Sequence, residues 1–216
     1  MFQEMSLIQI ISLSFIPLIF AITLHEVAHG YVAWKLGDPT AKMLGRLTIN
    51  PFAHIDILGT IIIPAFLLAF GGFFFGWAKP VPVNWRLLNN PKRDMALVAL
   101  AGPMANFAMA IFWAIVIQLA LTINTEPYSD FFGYMGLIGI FVNLLLGILN
   151  LLPIPPLDGS RLVSSALPNR YAYYYDKLEP YGFFILLLLI ISGILPYILL
   201  PPFEVLFQFL SMLFQF

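Results

Sequence analysis

Residues Met5 to Trp34 read MSLIQIISLSFIPLIFAITLHEVAHGYVAW, a run in which Glu26 is the one formally charged side chain at neutral pH. A helix needs about 20 apolar residues to cross the hydrocarbon core of a bilayer, and this run exceeds that length. Its flank, Met1 to Glu4, carries an acid and no base, and no small-residue cleavage site closes a short apolar core. A removable leader would show the opposite features, so the run is expected to remain as a membrane helix.

The rest of the 216 residues continues the pattern. Apolar stretches run from Ile57 to Trp77, Met95 to Ile123, Phe131 to Leu152 and Tyr181 to Leu200. The tail, Pro202 to Phe216, is short for a span and is expected to lie at the interface or pack as a partial helix. Overall 61% of residues are hydrophobic and 10% charged, against about 45 to 50% and about 25% in soluble domains. With 10 basic and 11 acidic residues and no cysteine, a water-soluble domain, a disordered chain, a basic nucleic-acid-binding face and a disulfide scaffold are excluded. The expected fold is an all-α polytopic membrane protein with five to six transmembrane or re-entrant helices. It fills residues 1–216 as a single domain, with no room for an extramembrane one.

All ten basic residues fall in three windows: Lys35, Lys42 and Arg46; Lys79, Arg86, Lys92 and Arg93; Arg161, Arg170 and Lys177. The positive-inside rule places all three on the cytoplasmic side of the cell membrane and the turn with Glu126 and Asp130 on the far side. Ile57 to Trp77 lies between two basic windows yet is only about one crossing long. Pro64 and the pair Gly71–Gly72 can break it into a re-entrant hairpin, the alternative being a full crossing with the second basic window outside.

Within the first run stands His25-Glu26-Val27-Ala28-His29. Positions i and i+4 share one face of a helix, so both imidazoles can reach one metal ion while Glu26 sits beside a water on that metal. Composition alone would produce this pattern about once in a thousand such chains. Ionisable groups are costly to bury in a bilayer and mark functional sites there, whereas helix packing could be served by one Asn or Ser. A catalytic zinc takes three protein ligands and leaves a position for water. Position 35 is a lysine, so the third ligand must come from elsewhere, with Asp158, Asp56 and His54 as candidates. Asp158 follows Pro153, Pro155 and Pro156, a proline-broken helix end that the charge pattern places at the same membrane face as His29.

Three motifs in order, His25-Glu26-x-x-His29, Gly102-Pro103-x-x-Asn106 and Asn150-x-x-Pro153-x-Pro155-x-Leu157-Asp158-Gly159, resemble those of the site-2 protease family of intramembrane zinc metalloproteases. The likeness is to its compact members without regulatory domains. It implies a catalytic core over about 5–160 followed by C-terminal helices over 178–216. It implies that His25, His29 and Asp158 ligate one zinc ion, that Glu26 is the general base, and that Asn106 and Asn150 stabilise the oxyanion or hold the substrate backbone. A membrane-associated β-hairpin often follows the metal helix in that family, and Leu44 to Asn50 and Lys79 to Asn84 are the stretches expected to form it. The implied partners are a membrane-protein or membrane-peptide substrate and the lipid bilayer, with no nucleic acid and with oligomeric state open. The site is expected toward the cytoplasmic face.

His54, in Asn50-Pro51-Phe52-Ala53-His54-Ile55-Asp56, has two readings. It is either an accessory residue that orders the site, or an interfacial histidine with Asp56 starting the next helix. Two rival functions also fit a buried His-rich triplet. A metal transporter would spread ligands over several spans with access from both sides, and a silent adaptor would have no need of Glu26.

Overall fold

The computed structural model describes residues 6–63, 66, 78–123 and 127–216. Helix α1, Leu7–Lys35, opens on a reciprocal cap, in which Gln9 N–H donates to the Ser6 hydroxyl and Ser6 N–H donates to the Gln9 side chain. It ends at Lys35, whose charge suits the carboxyl end of a helix. One turn, α2 at Thr40–Met43, follows. Asp56 then starts a wide turn over Ile57–Ile62, accepting from Gly59 N–H while its own N–H donates to Thr60 Oγ1. The expected re-entrant segment lies mostly beyond this turn, at positions outside the described residues.

Helix α3, Pro91–Ile123, and helix α4, Tyr128–Asn150, form the centre of the fold. Proline at the first position of α3 needs no amide partner, and Asn90 N–H donates to Asp94 across the first turn. Glycines on α4 let the two helices approach closely. A methyl group at Gly136 would meet Ile117, one at Gly139 would meet Trp113, and one at Gly147 would meet Phe107, each within 2.7 Å. The partner number falls as the glycine number rises, which is antiparallel pairing through small residues. Around this seam Trp113, Ile117, Met135, Ile140, Leu144 and Ile148 make the apolar core, joined by Leu13 of α1.

After Asn150 the chain turns through its prolines into α5, Asp158–Ala166, and α6, Asn169–Asp176. Two helices close the chain: α7 at Gly182–Ile191 and α8 at Ile194–Phe214. Among the described residues, four helices are long and apolar enough to cross a membrane: α1 from Gln9, α3, α4 and α8. The C-terminal expectation is therefore corrected. Tyr181 to Leu200 is not one span, because Gly193 adopts a left-handed backbone (φ 71°) that ends α7. At ten residues, α7 reaches only about 15 Å. The crossing-length helix starts beyond the glycine and continues through Pro201 and Pro202, so the stretch expected to be interfacial belongs to it. Its Leu199 and Leu210 are buried in the common core.

The expected β-hairpin is also absent, since neither Leu44 to Asn50 nor Lys79 to Asn84 forms a strand among the described residues. Pro80 and Pro82 offer no amide hydrogen, and three neighbouring amides are taken by scattered acceptors. Lys79 N–H donates to the His54 carbonyl (3.0 Å), Val81 N–H to Glu26 Oε2 (2.6 Å) and Asn84 N–H to Asp38 Oδ2 (2.6 Å). Residues 78–90 thus run as a strap across the end of α1. Asn89 N–H closes it on the Leu36 carbonyl at 2.9 Å, so α1 finishes and α3 begins at the same end of the bundle. Arg161, stacked 5.8 Å from the Trp85 ring, brings the third basic window to that end.

Candidate metal centre

Helix α1 presents His25 and His29 one turn apart toward α3, and both are buried. The proline turn after α4 delivers Asp158, the first residue of α5, to the same place. Asp158 Oδ2 lies 3.2 Å from Nε2 of each histidine, and the two Nε2 atoms are 3.0 Å apart. His25, His29 and Asp158 form the one group of at least three possible metal ligands found among the described residues.

The protons on these rings follow from the neighbours. His29 Nδ1 faces the Val98 carbonyl at 2.7 Å, which can only accept, so Nδ1 carries the hydrogen and Nε2 is bare when the ring is neutral. His25 Nδ1 faces Asn106 Oδ1 at 2.6 Å. The Asn106 amide cannot turn around. Its Nδ2 donates to the Ala21 carbonyl and to Asn143 Oδ1, both at 3.1 Å, while Asn143 Nδ2 donates to the Gly139 carbonyl at 2.9 Å. His25 Nε2 is therefore bare as well. Two lone pairs and a carboxylate oxygen converge on one point, and Asp158 Oδ2 is buried without a hydrogen-bond donor of its own. Such a donor set fits a divalent cation.

Space for the histidines comes from Gly102 of α3. A methyl group there would lie 2.3 Å from His29 Nε2 and 2.6 Å from His25 Cε1. The adjoining Pro103 has no amide hydrogen to give the carbonyl of Ala99, a residue that lines the cavity beside the centre. That cavity has a volume of about 330 Å³ and is lined also by Glu26, Val81, Trp85, Asn150, Asp158 and Arg161.

Of the residues singled out in the sequence, His25, His29, Asp158, Glu26 and Asn150 come together at this cavity. Asn106 lies behind it, holding His25, with both amide hydrogens already engaged. Asn150 spends one amide hydrogen on the Leu146 carbonyl and lines the cavity. His54 is elsewhere. It is buried with Nε2 against the Thr48 carbonyl (2.9 Å), its Nδ1 has no partner among the described residues, and it does not line the cavity. Asp56 is occupied as a cap. Sequence reasoning missed Asn143, a fully buried amide in an apolar helix, although the cost of such a group in lipid was signal enough. It also missed Asp38, fully buried at the end of α1.

Comparison with known proteins agrees with the geometry. A sequence model described as Peptidase family M50 matches residues 121–192, which include Asp158. The chain is 41% identical to "Putative zinc metalloprotease YwhC" of Bacillus subtilis over 86% of its own length and 83% of that protein. To Rip2 of Mycolicibacterium smegmatis, similarly named, it is 29% identical over 81% of its length and 64% of that protein. Against "Zinc metalloprotease MJ0392" of Methanocaldococcus jannaschii the identity is 28%, over 74% of the chain and 35% of the relative. No solved structure matches. The extent of the likeness to YwhC, together with the convergence of the histidine helix and Asp158, shows that the chain belongs to peptidase family M50.

Proposed function

We propose that this chain hydrolyses peptide bonds in or near transmembrane segments of membrane-protein substrates, with one zinc ion held by His25, His29 and Asp158. The observation that carries the reading is the meeting of three electron-pair donors within 3.2 Å. The zinc-metalloprotease names of the relatives support it. When bound, zinc supplies the Lewis acidity that yields a nucleophilic water at neutral pH.

The chain's own residues do the rest. Glu26 lines the cavity, with one carboxylate oxygen fixed by Val81 N–H. It accepts the proton of the attacking water and returns it to the departing amide nitrogen. Asn106 orients His25, and Asn150, with one amide hydrogen unspent, holds the substrate backbone or its developing oxyanion. A helix ties its own amides into backbone hydrogen bonds, so a substrate segment unwinds locally for its scissile amide to be reached. The three basic windows at the cavity end of the bundle support a site that faces the cytoplasm.

The test is metal analysis of the purified protein alongside cleavage of a transmembrane reporter. Glu26→Gln keeps the wild-type metal content and loses about 10²- to 10⁴-fold in cleavage rate. His25→Ala and Asp158→Ala lose the metal. Full metal retention by Asp158→Ala would remove it from the ligand set, and undiminished cleavage by Glu26→Gln would remove the base.

A further inference from the structure

Among the described residues, Arg161 is the one cationic side chain in the lining of the cavity beside the candidate metal centre, and the chemistry proposed above leaves it without a task. It stands three residues after Asp158 on α5, on the same face of that helix. Its guanidinium carbon lies 5.8 Å from the centre of the Trp85 ring, close enough for the ring to hold the cation electrostatically. Trp85 lines the cavity too, so the strap of residues 78–90 fixes this charge from one side.

The guanidinium already holds one carboxylate. Arg161 Nη2 donates to Glu179 Oε1 at 2.6 Å, and Glu179 comes from a short turn, Glu179–Tyr181, between α6 and α7. The two side chains are unequally covered, Arg161 being 24% exposed and Glu179 44%. An ion pair this open to water is weak, so its acid can be exchanged for another. A guanidinium has five N–H donors, and Arg161 makes no other hydrogen bond among the described residues. The charge of the lining points the same way. Glu26 and Asp158 outweigh Arg161 by one negative charge, so a divalent ion at the metal centre leaves the lining with one excess positive charge. Low-dielectric walls focus that field on whatever enters.

We propose that Arg161 is a carboxylate-binding subsite of the cavity, which takes an acidic side chain or a free C-terminal carboxylate of the substrate in exchange for Glu179. The proposal rests on the peptidase reading. A carboxylate accepts two parallel hydrogen bonds from a guanidinium, whereas a side-chain amide of the same shape offers one acceptor and one donor. Arg161 is about 4.5 Å along α5 from Asp158. At about 3.3 Å per extended residue, the recognised carboxylate belongs within roughly three residues of the scissile bond.

Binding is tested on zinc-loaded Glu26→Gln protein in lipid nanodiscs, with fluorescent transmembrane peptides. They carry Glu or Gln at successive positions of the segment and end in a free carboxylate or an amide. At one position Glu binds about tenfold tighter than Gln, or the free end binds about tenfold tighter than the amidated one, which tells the two sources apart. Adding Arg161→Gln brings that ratio to within about twofold of unity. Arg161→Glu inverts it in favour of Lys, and Glu179→Gln, which removes the resident carboxylate, widens it. Metal content of each variant reports on the fold, and if Arg161→Gln holds no metal the Glu179→Gln ratio decides. In wild type, kcat/KM on the same peptides follows the same preference through KM. Binding that never separates Glu from Gln or free from amidated ends, or a preference that survives Arg161→Gln, would overturn the proposal. Preferential binding without cleavage of any peptide would support the subsite and count against the peptidase reading alone.

Discussion

Gly102 shows how a small side chain governs the centre. The histidines occupy the space that any Cβ at this position would need, at 2.3 Å from His29 and 2.6 Å from His25. Gly102→Ala must displace α3 or rotate both imidazoles, and rotation breaks the bonds to Val98 and Asn106 that fix their tautomers. A 10- to 100-fold loss of metal affinity is expected, the usual scale for disturbing the groups that orient ligands. Competition with a chromogenic chelator measures it, and wild-type affinity would mean that α3 yields without cost. The same packing explains what the sequence showed at this scale. His25, Glu26 and His29 stood out because ionisable letters are rare in apolar runs. Asn143 did not, since a single amide matches no motif until its partner Asn106 is seen beside it.

Among elements, the strap of residues 78–90 depends on one side chain. Asp38 is fully buried and accepts from Thr40 N–H, the Thr40 hydroxyl and Asn84 N–H. Asp38→Ala removes the acceptor of two part-buried amides, those of Thr40 and Asn84, at about 0.5 to 1.5 kcal/mol each. Hydrogen exchange at Val81 and Asn84 should accelerate and cleavage should fall, with metal content unchanged. Unaltered exchange at those amides would show that the Leu36 and His54 carbonyls suffice to hold the strap. The prolines at 80 and 82 were readable as poor strand formers. That the intervening amide serves Glu26 was not readable, because the acceptor is 55 residues away in sequence. Likewise hydropathy ran unbroken from Tyr181 to Leu200. It registers what side chains prefer, and the stop at Gly193 lies in the backbone.

Across the whole molecule, hydropathy and the ten bases conveyed the membrane class, the first helix and the central pair α3 and α4, because long apolar runs leave few alternatives. They left the middle and C-terminal segments ambiguous, where length alone does not separate a span from a shorter device. The meeting of all three basic windows at one end of the bundle now makes topology testable. An impermeant maleimide should label Lys42→Cys, Arg93→Cys and Arg170→Cys from the same side of sealed vesicles and Tyr128→Cys from the other. Opposite labelling of positions 42 and 93 would require a full crossing between them.

The position of the ligands along the chain has one more effect. Among the described residues, two helices long enough to cross a membrane, α3 and α4, separate His29 from Asp158, yet their side chains touch. A cation bound there would act as a clasp between the first helix and everything after the central hairpin. It would also relieve the crowding of three electron-rich atoms. Closing a loop of such length while the chain is still unfolded is entropically unfavourable, so the clasp would fasten late, after α3 and α4 have paired. An enzyme built this way gains its peptidase chemistry and the last increment of its tertiary cohesion in one event.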